Sequence, residues 1–159
     1  MASSNDFKAL RKIIIDQFTL GRDSLHGPDH WDRVGQIGER LCETTGGDLT
    51  VVRLFSLFHD SKRFNEGHDI DHGARGALYA RTLRDKHFTL DNEGYEKLFY
   101  ACTWHTFGRL HEDPTIGTCW DSDRLDLWRV GVYPRAELLC TAAAREKKMI
   151  KWATGLVNY

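Results

Sequence analysis

The chain has 159 residues, enough for one hydrophobic core and too few for a second domain of ordinary size. Hydrophobic residues make up 41% and charged residues 28%, the balance of a globular chain rather than a disordered one. The formal net charge of -1 offers no handle for nucleic acid or for an acidic membrane surface.

The opening Met-Ala-Ser-Ser-Asn-Asp has neither a basic nor an apolar stretch, so no signal peptide is expected. No apolar run approaches the roughly 18 residues of a membrane span, and the cytoplasm is the expected compartment. The cysteines Cys42, Cys102, Cys119 and Cys140 are widely spaced with no C-x-x-C pair. That argues against a zinc-thiolate site or a redox pair, and for reduced, buried thiols.

Apolar spacing predicts the first helix between Asn5 and Thr19, through Phe7, Leu10, Ile13, Ile14 and Phe18. Pro28 suits the first position of a second helix, which carries Trp31, Val34, Ile37 and Leu41 and stops near Gly46-Gly47. Asp48 or Thr50 caps a third, Val51 to Asp60, whose apolar density predicts a central place in the core. A polar loop over Phe64 to Asp71 leads into a helix from about Asp71 to Asp85, with Ala74, Ala77, Leu78 and Leu83 inward. Asp91 and Asn92 cap the next, through Tyr95, Leu98, Phe99 and Cys102. Gly108 to Gly117 reads as loop, Ser122 to Trp128 as a short helix, and Pro134 as the start of a last helix through Leu138, Leu139 and Ala142 to Ala144. Only Phe88 to Leu90 and Val130 to Tyr133 suggest extended structure. The expected fold is all-α, one domain over residues 1–159.

The chemistry lies in where histidines and acids fall. His30 opens the second helix, His59-Asp60 end the third, His72 starts the fourth and His105 ends the fifth; Asp121 and Asp123 follow Trp120. Any one of these histidines alone reads more often as a satisfied core or capping residue, and Asp121, Asp123 and Asp126 read equally as cap and first-turn acids of a helix. Together, imidazoles and carboxylates at buried helix ends are costly without a partner, and a metal held between helices supplies one.

The order His30, His59-Asp60, Asp123 resembles the H…HD…D signature of the HD-domain superfamily of metal-dependent phosphohydrolases. The contexts His-Trp-x-Arg-Val, Leu-Phe-His-Asp-Ser-Lys-Arg and Asp-Ser-Asp-Arg-Leu-Asp are similar to its boxes, and the likeness runs from about Ser24 to Val130. It implies a helical domain with a divalent transition metal (Fe, Mn, Zn, Ni or Co). It also favours Asp123 over Asp121 as ligand, with Asp121 left to orient a ligand. His72 in His-Gly-x-x-Gly-Ala and His105 in His-Thr-x-Gly resemble the extra histidines of dinuclear members, as does the interval from His105 to Asp123. One or two ions are then implied, with Asp60 bridging if there are two; His68 is a competing ligand. Dinuclear members include dinucleoside tetraphosphate hydrolases, cyclic-dinucleotide phosphodiesterases and di-iron oxygenases. The chain lacks the extra box of the cyclic-dinucleotide group.

The implied activity is hydrolysis of a nucleotide or other small phosphate ester by metal-activated water. Asp60, Arg63 and Lys62 are the expected catalytic residues, with Arg33, Arg109 and Arg124 as further cations. A di-iron oxygenase and a non-catalytic metal- or nucleotide-binding domain are the alternatives. No G-x-x-x-x-G-K-[ST] loop, Rossmann glycine fingerprint or G-x-S-x-G elbow is present, which sets aside P-loop, dinucleotide-binding and serine-hydrolase chemistry. Trp31, Trp104, Trp120 and Trp128 read as core filler.

Overall fold

Residues 4–157 are described by a computed structural model. The opening Met-Ala-Ser, part of the stretch from which no signal peptide is expected, lies outside them. Among the described residues regular structure is helical: α1 (Ser4–Gln17), α2 (Pro28–Thr45), α3 (Leu49–Phe58), α4 (His72–Leu83), α5 (Asn92–Trp104), α6 (Pro114–Arg124), α7 (Ala142–Arg145) and α8 (Lys147–Thr154). Two short 3₁₀ helices, Leu127–Val130 and Ala136–Leu138, join α6 to α7. The fold is all-α, and none of the described helices is long and apolar enough to cross a membrane.

The third helix organises the rest. The Asp48 carboxylate accepts from the backbone N–H groups of Thr50 and Val51 and starts α3. Val51, Val52, Leu54, Phe55, Leu57 and Phe58 are all buried, so most of α3 is apolar and packed, with Arg53 reaching out to Glu39. It packs against α1, α2, α4, α5 and α6. A second apolar cluster joins Ile37 and Leu41 of α2 to Leu139, Ala144, Ile150 and Ala153. The C-terminal segments thus cover the far side of α2.

Two glycines set how closely α4 approaches. A Cβ on Gly73 would lie 2.2 Å from the carbonyl oxygen of Cys102 in α5. One on Gly76 would lie 2.2 Å from that of Phe58, at the end of α3. The glycines of the His-Gly-x-x-Gly-Ala segment therefore let the start of α4 touch the ends of α3 and α5.

Three expectations need correction. The sixth helix begins at Pro114, inside the expected loop, where Asp113 accepts from Thr115 and Ile116 N–H; it ends at Arg124, and Leu127–Val130 continues only as 3₁₀ helix. Pro134 starts no helix: the expected last helix is divided into Ala136–Leu138, α7 and α8. Leu78 is exposed rather than inward. Of the weak extended candidates, Phe88 makes an isolated bridge with Arg84, and Val130 closes a 3₁₀ helix before a left-handed Gly131. All four cysteines are free thiols. Trp31 and Trp120 are core residues, whereas Trp104 is exposed.

The broken C-terminal path has a physical cause in Asp121. This fully buried carboxylate accepts from Cys140 N (2.6 Å), Thr141 N (2.8 Å) and Thr141 Oγ1 (2.7 Å). Burial pushes its pKa up, against the pull of these hydrogen bonds. Its role is to hold residues 140–141 in extended conformation against α6, rather than to orient a metal ligand. Asp121→Ala leaves two buried N–H donors unpaired and is expected to cost roughly 3 kcal/mol, read as a lower denaturation midpoint at unchanged slope.

Candidate metal centre

The ends of five helices meet at one place. His30 stands in the first turn of α2, His59 and Asp60 follow α3, His72 is the first residue of α4, His105 follows α5, and Asp123 lies in the last turn of α6. His30, His59, Asp60, His72 and His105 are buried, and the Asp123 side chain is 18% exposed.

The four rings are oriented alike. His30 Nδ1 donates to Asp126 Oδ2 (2.7 Å), His59 Nδ1 to the Phe55 carbonyl (3.0 Å), His72 Nδ1 to the Asp69 carbonyl (2.5 Å) and His105 Nδ1 to the Cys102 carbonyl (2.7 Å). Each acceptor fixes the proton on Nδ1 and leaves the Nε2 lone pair facing inward. Yet Nε2 of His30 and His59 are 3.0 Å apart, and so are those of His72 and His105. Two lone pairs at that distance repel unless a proton or a metal ion lies between them.

Asp60 divides the site. Its Oδ2 is 3.4 Å from His30 Nε2 and 3.5 Å from His59 Nε2, and Asp123 Oδ1 stands 3.2 and 3.5 Å from the same two nitrogens. Its Oδ1 is 3.1 Å from His72 Nε2 and 3.4 Å from His105 Nε2. Metal bonds of ~2.0–2.2 Å put neighbouring ligand atoms about 3.0–3.5 Å apart, so both groups have the spacing of a coordination shell. The donor types suit a metal ion: His30, His59 and Asp60 surround one position, with Asp123 Oδ1 close to both of its histidines, and Asp60, His72 and His105 surround the other.

The electrostatics agree. Burial works against a proton on His30, as does the Arg129 charge, but hydrogen bonds to Asp123, Asp126 and Asp60 prevail and raise its pKa to about 9. Burial likewise opposes ionisation of Asp60 and Asp123, and the surrounding histidines hold both carboxyls well below the usual range. The pocket attracts positive charge, whether a proton on His30 or a metal ion.

A cleft of about 500 Å³ opens onto the centre, with Asp60, His105 and Asp123 at its floor. Five arginines line it: Arg63, Arg109, Arg124, Arg129 and Arg135. They are not equivalent. Arg124 gives its guanidinium to the carbonyls of Gly108, Arg109 and Leu138, and Arg129 donates to those of Leu25 and Asp126. Both hold the cleft wall together. Arg135 pairs with Glu137. Arg63 donates through Nη1 to the carbonyls of Asn65 and Gly67, while its buried Nε, 3.6 Å from Asp60 Oδ1, has no hydrogen-bond partner among the described residues. Arg109 is exposed at the mouth.

The other sequence candidates lie elsewhere. The Lys62 ammonium sits 4.3 Å from the centroid of the Tyr79 ring, outside the cleft lining. Arg33 pairs with Asp126 (2.7 Å), and His68 is exposed on its loop, outside both ligand groups. Sequence reading passed over two neighbours of the centre. Asp126, taken there as a first-turn acid, is fully buried between His30 and Arg33; its offset of three residues from Asp123 was the available signal. His26 stands on a loop, where no periodicity marks it. Asp126→Asn keeps the shape but weakens the hold on His30, and is expected to lower metal affinity by about 10–100-fold in a competition titration.

Compared with family models, with curated proteins and with solved structures, the chain matches none.

Proposed function

We propose that this protein is a metal-dependent phosphohydrolase of the HD kind, acting in the cytoplasm on a nucleotide or other small phosphate ester. One observation carries the reading: two pairs of inward-facing Nε2 lone pairs share one carboxylate at the floor of an arginine-lined cleft. Divalent ions held there would acidify a water and neutralise phosphoryl oxygens.

The chain's own residues supply the rest. Asp60 and Asp123 add negative charge that draws cations to the floor. The Arg63 guanidinium lines the cleft beside Asp60 and would bring positive charge near an anionic oxygen of the substrate, where charge develops during phosphoryl transfer. Arg109 at the mouth guides anions inward. Phe107, Leu127 and Leu138 give the cleft apolar walls that suit the carbon-bearing part of an ester.

The same six ligands would serve a di-iron oxygenase, but the arginines around the carboxylate floor favour phosphoryl chemistry. The test is phosphate release from a panel of nucleotides and phosphate esters, with protein reloaded separately with manganese, iron, cobalt, nickel or zinc. We expect turnover with at least one metal and a fall of about 10²-fold in kcat/KM for Arg63→Ala. Absence of release across the panel, with oxygen uptake by the iron form, would move the assignment to an oxygenase. Absence of both would leave a metal- or nucleotide-binding domain.

A further inference from the structure

We propose that His26 is a positioning residue for the bridging Asp60 carboxylate, holding Oδ2 so that the two oxygens face different metal positions. The inference rests on the metal-centre reading above. His26 Nδ1 lies 3.3 Å from Asp60 Oδ2, and the ring lines the cleft beside the floor. An ionised carboxylate only accepts, so Nδ1 is the donor.

The backbone around His26 is built to present the ring at that point. The indole N–H of the fully buried Trp31 donates to the His26 carbonyl (2.7 Å), and His26 N–H donates to Ser24 Oγ (3.1 Å). The next residue, Gly27, has little room for a side chain: a Cβ would lie 3.2 Å from the Ser24 carbonyl and 3.3 Å from that of Gly21. On the other edge of the ring, Nε2 stands 3.3 Å from the Glu66 carbonyl. His26 therefore links the loop before α2 to the one residue common to both ligand groups, with the loop after α3 alongside its ring.

Nothing else does this work. Among the described residues no other side chain outside the ligand set hydrogen-bonds the Asp60 carboxylate, and Arg63 Nε, at 3.6 Å from Oδ1, is beyond hydrogen-bond distance. Without His26 the carboxylate is free to turn about its terminal torsion, which is broad and soft, and to give both oxygens to one ion. Partners of this kind, which orient a ligand, typically change metal affinity by about 10–100-fold.

The experiment titrates cobalt(II) into metal-free wild type and the variants His26→Ala, His26→Asn and His26→Gln, each scored after its far-UV spectrum matches wild type. Asparagine places its amide N–H near the position of Nδ1; glutamine places it near Nε2. The proposal expects about 10–100-fold weaker cobalt binding for His26→Ala and His26→Gln, with most of the affinity restored in His26→Asn. A purely structural role would not separate Asn from Gln. If His26→Ala fails to fold, the Asn and Gln pair still decides. His26→Ala binding like wild type, or Asn binding no better than Gln, overturns this inference alone. Wild type binding no cobalt overturns the metal-centre reading and this inference with it.

Discussion

Asp60→Ala is expected to empty both metal positions at once. The carboxylate is the one group shared by the two sets of ligands: Oδ2 faces His30 and His59, and Oδ1 faces His72 and His105. Its loss removes a ligand from each position and one of the carboxylate charges that attract cations there. The fall in affinity should exceed the roughly 10–100-fold that an outer partner contributes. His72→Ala is the contrast: it touches only the Asp60–His105 side, so about one ion per chain should remain. Elemental analysis of the two variants side by side makes the distinction. If Asp60→Ala retains as much metal as His72→Ala, the carboxylate does not bridge.

Gly73→Ala should be a strongly damaging single-methyl change. The added Cβ would meet the Cys102 carbonyl oxygen at 2.2 Å and the His105 ring at 3.1 Å. Neither can move freely, because the Cys102 carbonyl is the acceptor that orients His105. Overpacking of this kind costs roughly 3 kcal/mol, a fall of ~6–12 °C in Tm for a chain of this size. The displacement also separates His72 from His105, so the position they share should lose its ion before the other does. Gly35→Ala is the control within the same fold. A Cβ there meets the Ser56 side chain at 3.4 Å, an ordinary contact, and an alanine inside α2 is expected to be neutral or to stabilise by up to about 1 kcal/mol. Thermal melts of the metal-free proteins check the first effect, and metal counts check the second.

Most of the helical frame was legible from the residues. Leu49–Phe58 is densely apolar, and Asp48 and Asp91 have the side chains that helix starts require. The six residues expected to bind metal converge because each sits at a helix end beside an apolar run, and helix ends are where a buried polar group can face a shared cavity. The sixth helix was hidden because Thr115, Gly117 and Thr118 dilute its periodicity, although all three are buried. The path through residues 131–141 was not legible for a different reason. Proline and small apolar residues there permit a helix, and a long-range contact, the Asp121 carboxylate, decides otherwise. Lys62 and Arg63 adjoin in sequence, yet only Arg63 reaches the cleft. Past the end of α3 the backbone no longer has a fixed period, so adjacency says little about direction. His26 shows the same limit, since its value comes from Trp31, Ser24 and Asp60 meeting around it.

On the proposed reading, two cations would belong between these helix ends. The direct measurement is to strip the protein with chelator, reload it with a single transition metal, remove the excess, and count ions per chain. About two ions per chain is the result this account predicts, with binding tight enough to survive gel filtration. No retained metal with any of manganese, iron, cobalt, nickel or zinc would contradict it.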